Sequence, residues 1–102
     1  MIQTKQELLN VLNANRDKIL SFGVQRLGLF GSFVRDEANE KSDVDFLVDF
    51  SKEKKTLENI VDLSELMEKI TGRKSEVVTP QGLSKYIGPY ILKEVEYVSF
   101  GG

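Results

Sequence analysis

The chain has 102 residues, 40% apolar and 29% charged, which suits one domain with a packed core and an ordinary wet surface. The 14 basic residues against 16 acidic ones leave a net charge of −2, which argues against nucleic acid as the main partner, since a phosphate backbone favours a basic stripe. Cysteine and histidine are both absent, so disulfides, thiolate catalysis and sulfur- or imidazole-bound metal are excluded, and any metal must sit on oxygen, as Mg²⁺ or Mn²⁺ does.

Met1 to Asn10 lacks the apolar core of a signal peptide and no stretch approaches a membrane span, so the expectation is a cytoplasmic protein. Thr4-Lys5-Gln6-Glu7 has the form of a capping box, and Leu8, Leu12, Ile19 and Leu20 repeat at helical spacing. Together they predict one amphipathic helix over residues 5 to about 21, ended by Gly23. Val24 to Phe30 reads as a strand that Gly31-Ser32 breaks, and a short helical turn is expected after Ser32, a good N-cap. Glu37 to Ser42 is a polar loop. Asp43 to Phe50 alternates with period two, so Val44, Phe46, Val48 and Phe50 share one face and Asp43, Asp45, Leu47 and Asp49 the other.

Lys52, Lys54 and Lys55 then mark a solvated turn, and Leu57, Ile60, Val61, Leu63, Met67 and Ile70 a second helix ended by Gly72. Ser75 to Thr79 is a third strand stopped by Pro80. Pro89 opens a last helix over roughly 89 to 95, and Tyr97 to Phe100 forms a short closing strand. With no repeat and no linker, residues 1–102 read as a single domain, an α/β or α+β sandwich around one small sheet.

The chemistry lies in Leu27-Gly28-Leu29-Phe30-Gly31-Ser32, a gap of ten residues, and Asp43-Val44-Asp45. Gly31 lets backbone amides approach a phosphate closely, Ser32 adds a hydroxyl, and Arg35 lies one turn on, within reach of the same phosphates. Asp43 and Asp45 project from one face of a strand and repel each other, a conflict that a divalent cation removes. Mg²⁺ is usually held by one or two carboxylates plus substrate phosphates, and a pair of such ions clamps both oxygens of an in-line displacement. Asp-x-Asp alone is commonly the solvated face of a strand, and Gly-Ser alone a turn; it is their order between two apolar strands that points to phosphoryl transfer. Asp49 shares the Asp45 face but stands about 13 Å along the strand, too far to join the pair.

Gly31-Ser32, the gap and Asp43-x-Asp45 resemble the signature of the DNA polymerase β-like nucleotidyltransferase superfamily. The size, the leading helix and Leu29-Phe30-Gly31-Ser32-Phe33-Val34-Arg35 resemble its minimal branch, the MNT family of MntA-type antitoxins. The resemblance implies a small mixed sheet flanked by helices, the polymerase β-like palm fold, with two Mg²⁺ ions and a nucleoside triphosphate, usually ATP. It implies that Gly31 and Ser32 hold the triphosphate and that Asp43 and Asp45 hold metal. A third carboxylate, usually an aspartate on a later strand, falls here on Glu76 in Ser75-Glu76-Val77-Val78-Thr79, as a further metal ligand or proton acceptor. Glutamate is one methylene longer, and a displacement of about 1 Å can cost on the order of a hundredfold in rate.

A domain this small has little room for an acceptor site of its own. The acceptor then arrives on another macromolecule, or its pocket forms between subunits of a homo-oligomer. The MNT resemblance implies a HEPN-domain toxin as partner and AMP transfer to a tyrosine hydroxyl on it. Two other readings stand beside transfer. One is an interaction module that neutralises a toxin by binding alone, with Tyr86, Tyr90 and Ile91 as either docking surface or core; the other is a nucleotide sensor.

Overall fold

Thr4 opens the first helix as its spacing predicts, its hydroxyl accepting from the Glu7 amide at 3.1 Å in the computed structural model, which describes residues 1–100. The expected single helix is, however, two: α1 (Lys5–Ala14) and α2 (Arg16–Leu20). Asn15 makes the break at φ −111 and ψ 17, its side-chain amide donating back to the Val11 carbonyl at 2.8 Å. Hydrophobic spacing does not reveal it, because Leu8, Leu12 and Ile19 reach the core from both sides of the break. After α2, Gly23 at φ 85 turns the chain into β1 (Val24–Phe30).

β2 (Val44–Phe50) runs antiparallel to β1, with Phe46 opposite Leu29 and Asp45 opposite Phe30. α3 (Leu57–Thr71) is capped by Thr56, which accepts from Asn59 N at 3.1 Å, and is closed by Gly72 in the left-handed region at φ 72. It carries the chain over to β3 (Ser75–Val78), parallel to β2, a pairing that needs such a crossover. Pro80 begins a 3₁₀ turn, α4 (Gly88–Glu94) follows, and β4 (Glu96–Tyr97) pairs with β1. β4 is shorter than the expected strand, although Val98 N still donates to the Leu27 carbonyl at 2.8 Å.

The sheet is mixed, in the order β3-β2-β1-β4. Its Val44, Phe46, Val48 and Phe50 face packs with Leu27 and Leu29 against Leu8, Leu12 and Ile19 from α1 and α2 and Leu63 and Met67 from α3. Leu57 and Val61, expected to mark the apolar face of α3, are instead 78% and 46% exposed, the buried stripe of the helix running through Leu63, Leu66, Met67 and Thr71 with Ile60 and Ile70 partly buried against the core. The opposite face, which carries Asp45, is covered only by the segment around α4 and keeps a pocket beneath it. Among the described residues no helix is long and apolar enough to cross a membrane.

Candidate active site

β1 delivers Gly31 to the end of the sheet, and β2 brings Asp45 against it. Gly31 has φ 83, and a Cβ there would stand 2.2 Å from Asp45 Oδ2, so glycine is required both for the backbone and for the neighbouring carboxylate. The chain then folds tightly, the Gly31 carbonyl accepting from Val34 N and Arg35 N at 3.1 and 3.2 Å, and the Ser32 carbonyl from Glu37 N at 2.9 Å. This is a single turn, as expected after Ser32, with no helix continuing from it. It is closed on the carbonyl one residue earlier, and Asp36 at φ 59 leaves the helical region before a second turn can form.

Parallel register places Glu76 of β3 directly beside Asp45 of β2. Asp45 is half-buried, and its carboxyl is raised to about 6 by burial, then by the charges of Glu76 and Asp43 and a hydrogen bond shared with Glu76. Arg35 acts in the opposite direction, which places its charge toward the site. Asp43 itself is exposed just ahead of β2.

A pocket of about 590 Å³ opens here. Gly31, Arg35, Asp45 and Glu76 form its polar end, and Val78, Leu83, Ile87, Tyr90 and Ile91 its apolar wall. Four of the six predicted site residues therefore share one pocket, while Ser32 and Asp43 adjoin it in sequence without lining it. Asp49, set apart by its distance along the strand, pairs with Arg26 at 2.9 Å. Lys52, Lys54 and Lys55 are exposed.

One residue of the pocket escapes sequence reasoning. Glu94, at the end of α4, accepts from Gly31 N–H at 2.8 Å through Oε2 and from Arg35 Nη1 at 2.7 Å through Oε1. Burial works against its charge, but the bonds from Arg35 and Gly31 prevail and hold the carboxyl below its ordinary value. The same bond from Arg35 to Glu94, with one to Glu37 at 2.6 Å, raises the guanidinium further above its ordinary value. The available signal was an acid in the last turn of a helix, where the helix dipole disfavours it and a compensating donor is to be expected.

Among the described residues no three acidic side chains are disposed to hold a metal ion unaided. The donor set nevertheless fits Mg²⁺. Asp45 and Glu76, with the Asp43 charge close by, bring oxygen donors together at a cost in mutual repulsion, the donor type Mg²⁺ takes when water and phosphate complete its shell.

The nucleotidyltransferase domain family matches residues 8–98. The chain belongs to this family. Among relatives of this nucleotidyltransferase, protein adenylyltransferase MntA of Thermococcus cleftensis is 40% identical over 96 residues, 93% of this chain and 96% of that protein. A structure solved as a minimal nucleotidyltransferase superposes with a TM-score of 0.70 at 34% identity, over 86% of this chain and 93% of that one. A toxin–antitoxin structure with AMP-PNP shares the fold, at TM-score 0.66 and 16% identity, over 85% of this chain and 72% of that one. These likenesses place the chain in the minimal, MntA-type branch.

Proposed function

We propose that this nucleotidyltransferase transfers AMP from ATP to a hydroxyl of a partner protein, with Mg²⁺, as the antitoxin that silences a HEPN-type toxin. The observation that carries the reading is the in-register Asp45–Glu76 pair, sharing one pocket with Gly31 and Arg35. Support comes from the 40%-identical relative, named a protein adenylyltransferase, and from the toxin–antitoxin neighbour bound to AMP-PNP. The nucleotide the reaction consumes fits a cytoplasmic protein.

In this reading the Gly31 turn, with Ser32 and Arg35, receives the phosphates, and Asp43, Asp45 and Glu76 are the ligands for metal. Bound Mg²⁺ supplies neutralisation of the charge that develops on the phosphates and lowers the pKa of the attacking hydroxyl. The hydroxyl oxygen forms its bond to the α-phosphorus in line with the bond to the β-phosphate, which breaks and releases pyrophosphate. Glu76, the most exposed of the pocket carboxylates on the strand edge, takes up the hydroxyl proton. The apolar wall of Leu83, Ile87 and Ile91 shields the remainder of the nucleotide from water.

The test combines α-labelled ATP, Mg²⁺ and the HEPN-type toxin sought in the neighbouring gene. Label is expected on the toxin, and Asp45→Asn is expected to reduce the transfer rate by at least a hundredfold. A tight complex without label in the parent would establish an interaction module instead, and ATP binding with neither outcome a sensor.

A further inference from the structure

Glu94 lies outside the signature that defines the site, yet it contacts two members of the predicted phosphate cradle. Its two carboxylate oxygens take the Gly31 amide at 2.8 Å and the Arg35 guanidinium at 2.7 Å. The residues come from opposite ends of the chain, 63 and 59 positions away, so the contact is built by the fold and not by local sequence. We propose that Glu94 is a positioning residue for nucleotide binding, fixing the Gly31 turn and aiming Arg35 at the distal phosphates of ATP. This rests on the nucleotide-transfer reading given above.

An exposed arginine loses much rotamer freedom on meeting a ligand, and orienting it beforehand removes part of that cost. Arg35 is held at two points, Nε on Glu37 at 2.6 Å and Nη1 on Glu94. A guanidinium has five N–H groups in a rigid fork, so two such anchors fix the direction of the others. The Arg35 charge acts on Asp45, which is the direction the proposal needs. The bond from Gly31 N–H has a second effect. It pins the residue at φ 83 whose missing side chain leaves room for Asp45 Oδ2. One carboxylate thus sets the geometry of the phosphate turn and of the arginine together, and α4 is the rigid element that carries it.

The experiment measures binding of ATP and of AMP to the full chain with Mg²⁺, for the parent, Glu94→Gln, Glu94→Ala, Arg35→Ala and the Glu94→Ala/Arg35→Ala double variant. Glu94→Ala is expected to weaken ATP binding about tenfold, as loss of a charge-assisted contact does, and AMP binding much less, because AMP lacks the phosphates that Arg35 would meet. Glu94→Gln keeps an acceptor for Gly31 N–H and is expected to recover part of the affinity. Once Arg35 is absent, removing Glu94 is expected to cost clearly less than in the parent, the remainder being the Gly31 bond, a coupling that separate structural effects do not produce. In the nucleotide-free protein, the Arg35 Nε–H and Gly31 amide NMR signals are expected to shift together in Glu94→Ala and only slightly in Glu94→Gln.

Equal weakening for ATP and AMP, or additive losses in the double variant, would make Glu94 a structural residue and overturn the proposal. Tighter ATP binding in Glu94→Ala would overturn it too, by making the carboxylate a competitor of phosphate. A parent chain that binds no ATP would overturn the transfer reading itself and the role of Glu94 with it, which separates that failure from the others.

Discussion

Burial and the charges of Glu76 and Asp43 hold the Asp45 carboxyl at about 6, whereas an unfolded chain leaves an aspartate near ~3.9. The folded state therefore binds this proton more tightly, and stability falls as pH rises from about 4 to about 6. Half-exposure reduces the nominal cost of the shift to the order of 1 kcal/mol. Asp45→Asn is accordingly expected to raise the melting temperature at pH 8 by a few degrees and to flatten the pH dependence of stability across that window, while transfer is lost. Thermal unfolding followed at several pH values checks both the sign and the window. Millimolar Mg²⁺ is expected to stabilise the parent at pH 8, much less at pH 4.5, where Asp45 takes up its proton, and much less in Asp45→Asn. Gly31→Ala meets a different obstacle, a Cβ placed 2.2 Å from Asp45 Oδ2 on a backbone at φ 83. It is expected to cost about 1–2 kcal/mol of stability in urea unfolding and to displace the Asp45 carboxylate, lowering transfer by more than tenfold.

Between α3 and β3, Arg73 is 6% exposed and ties three separate segments together. Its Nε donates to the Ile2 carbonyl at 2.7 Å, its Nη1 to the Asn39 and Ser42 carbonyls at 2.8 and 2.9 Å, and its guanidinium lies 5.0 Å from the centre of the Phe33 ring. The loop so fixed is the one that delivers Asp43 to the head of β2. Arg73→Met keeps the volume but leaves those carbonyls without this donor, and is expected to cost about 2–4 kcal/mol, a fall in melting temperature of at least ten degrees. Arg73→Lys, able to serve fewer of them, should fall between. The same residue shows where sequence stops informing. The alternation of Val44 to Phe50 and the Gly31-Ser32 break are local signals, and they place both strands and the carboxylate face. The partners of Arg73 lie as far as 71 positions away and those of Glu94 as far as 63, so no spacing rule reaches them. The break at Asn15 escapes for the opposite reason: it is a backbone event that leaves the apolar pattern on both sides intact. Leu57 and Val61 fit that pattern too, yet they lie outside the face of α3 that packs on the core.

At the scale of the whole molecule the two faces of the sheet have different fates. One is sealed by α1, α2 and α3, and the other is left to the short α4 and the turn before it, where the pocket opens. In the proposed transfer, the acceptor hydroxyl would reach Asp45 from that open side. The segment around α4 carries exposed apolar side chains: Ile87 and Tyr90 of the pocket wall, with Tyr86 next to them in sequence and Leu92 further along the same helix, 75% and 53% exposed. Aromatic and aliphatic groups exposed on the element that covers a site suit a docking partner. Tyr86→Ser and Leu92→Ser, neither of which lines the pocket, are expected to leave the melting temperature within a degree or two and ATP affinity within twofold. Together they are expected to weaken capture of the partner toxin at least tenfold, read by titration calorimetry of the purified pair. Leu57→Ser is the control, since Leu57 is 78% exposed at the start of α3, in the helical layer on the sealed face. If capture falls equally with Leu57→Ser, exposed apolar area and not its position is what matters. If Tyr86→Ser and Leu92→Ser change nothing, the partner approaches by another surface and the segment around α4 is not its dock.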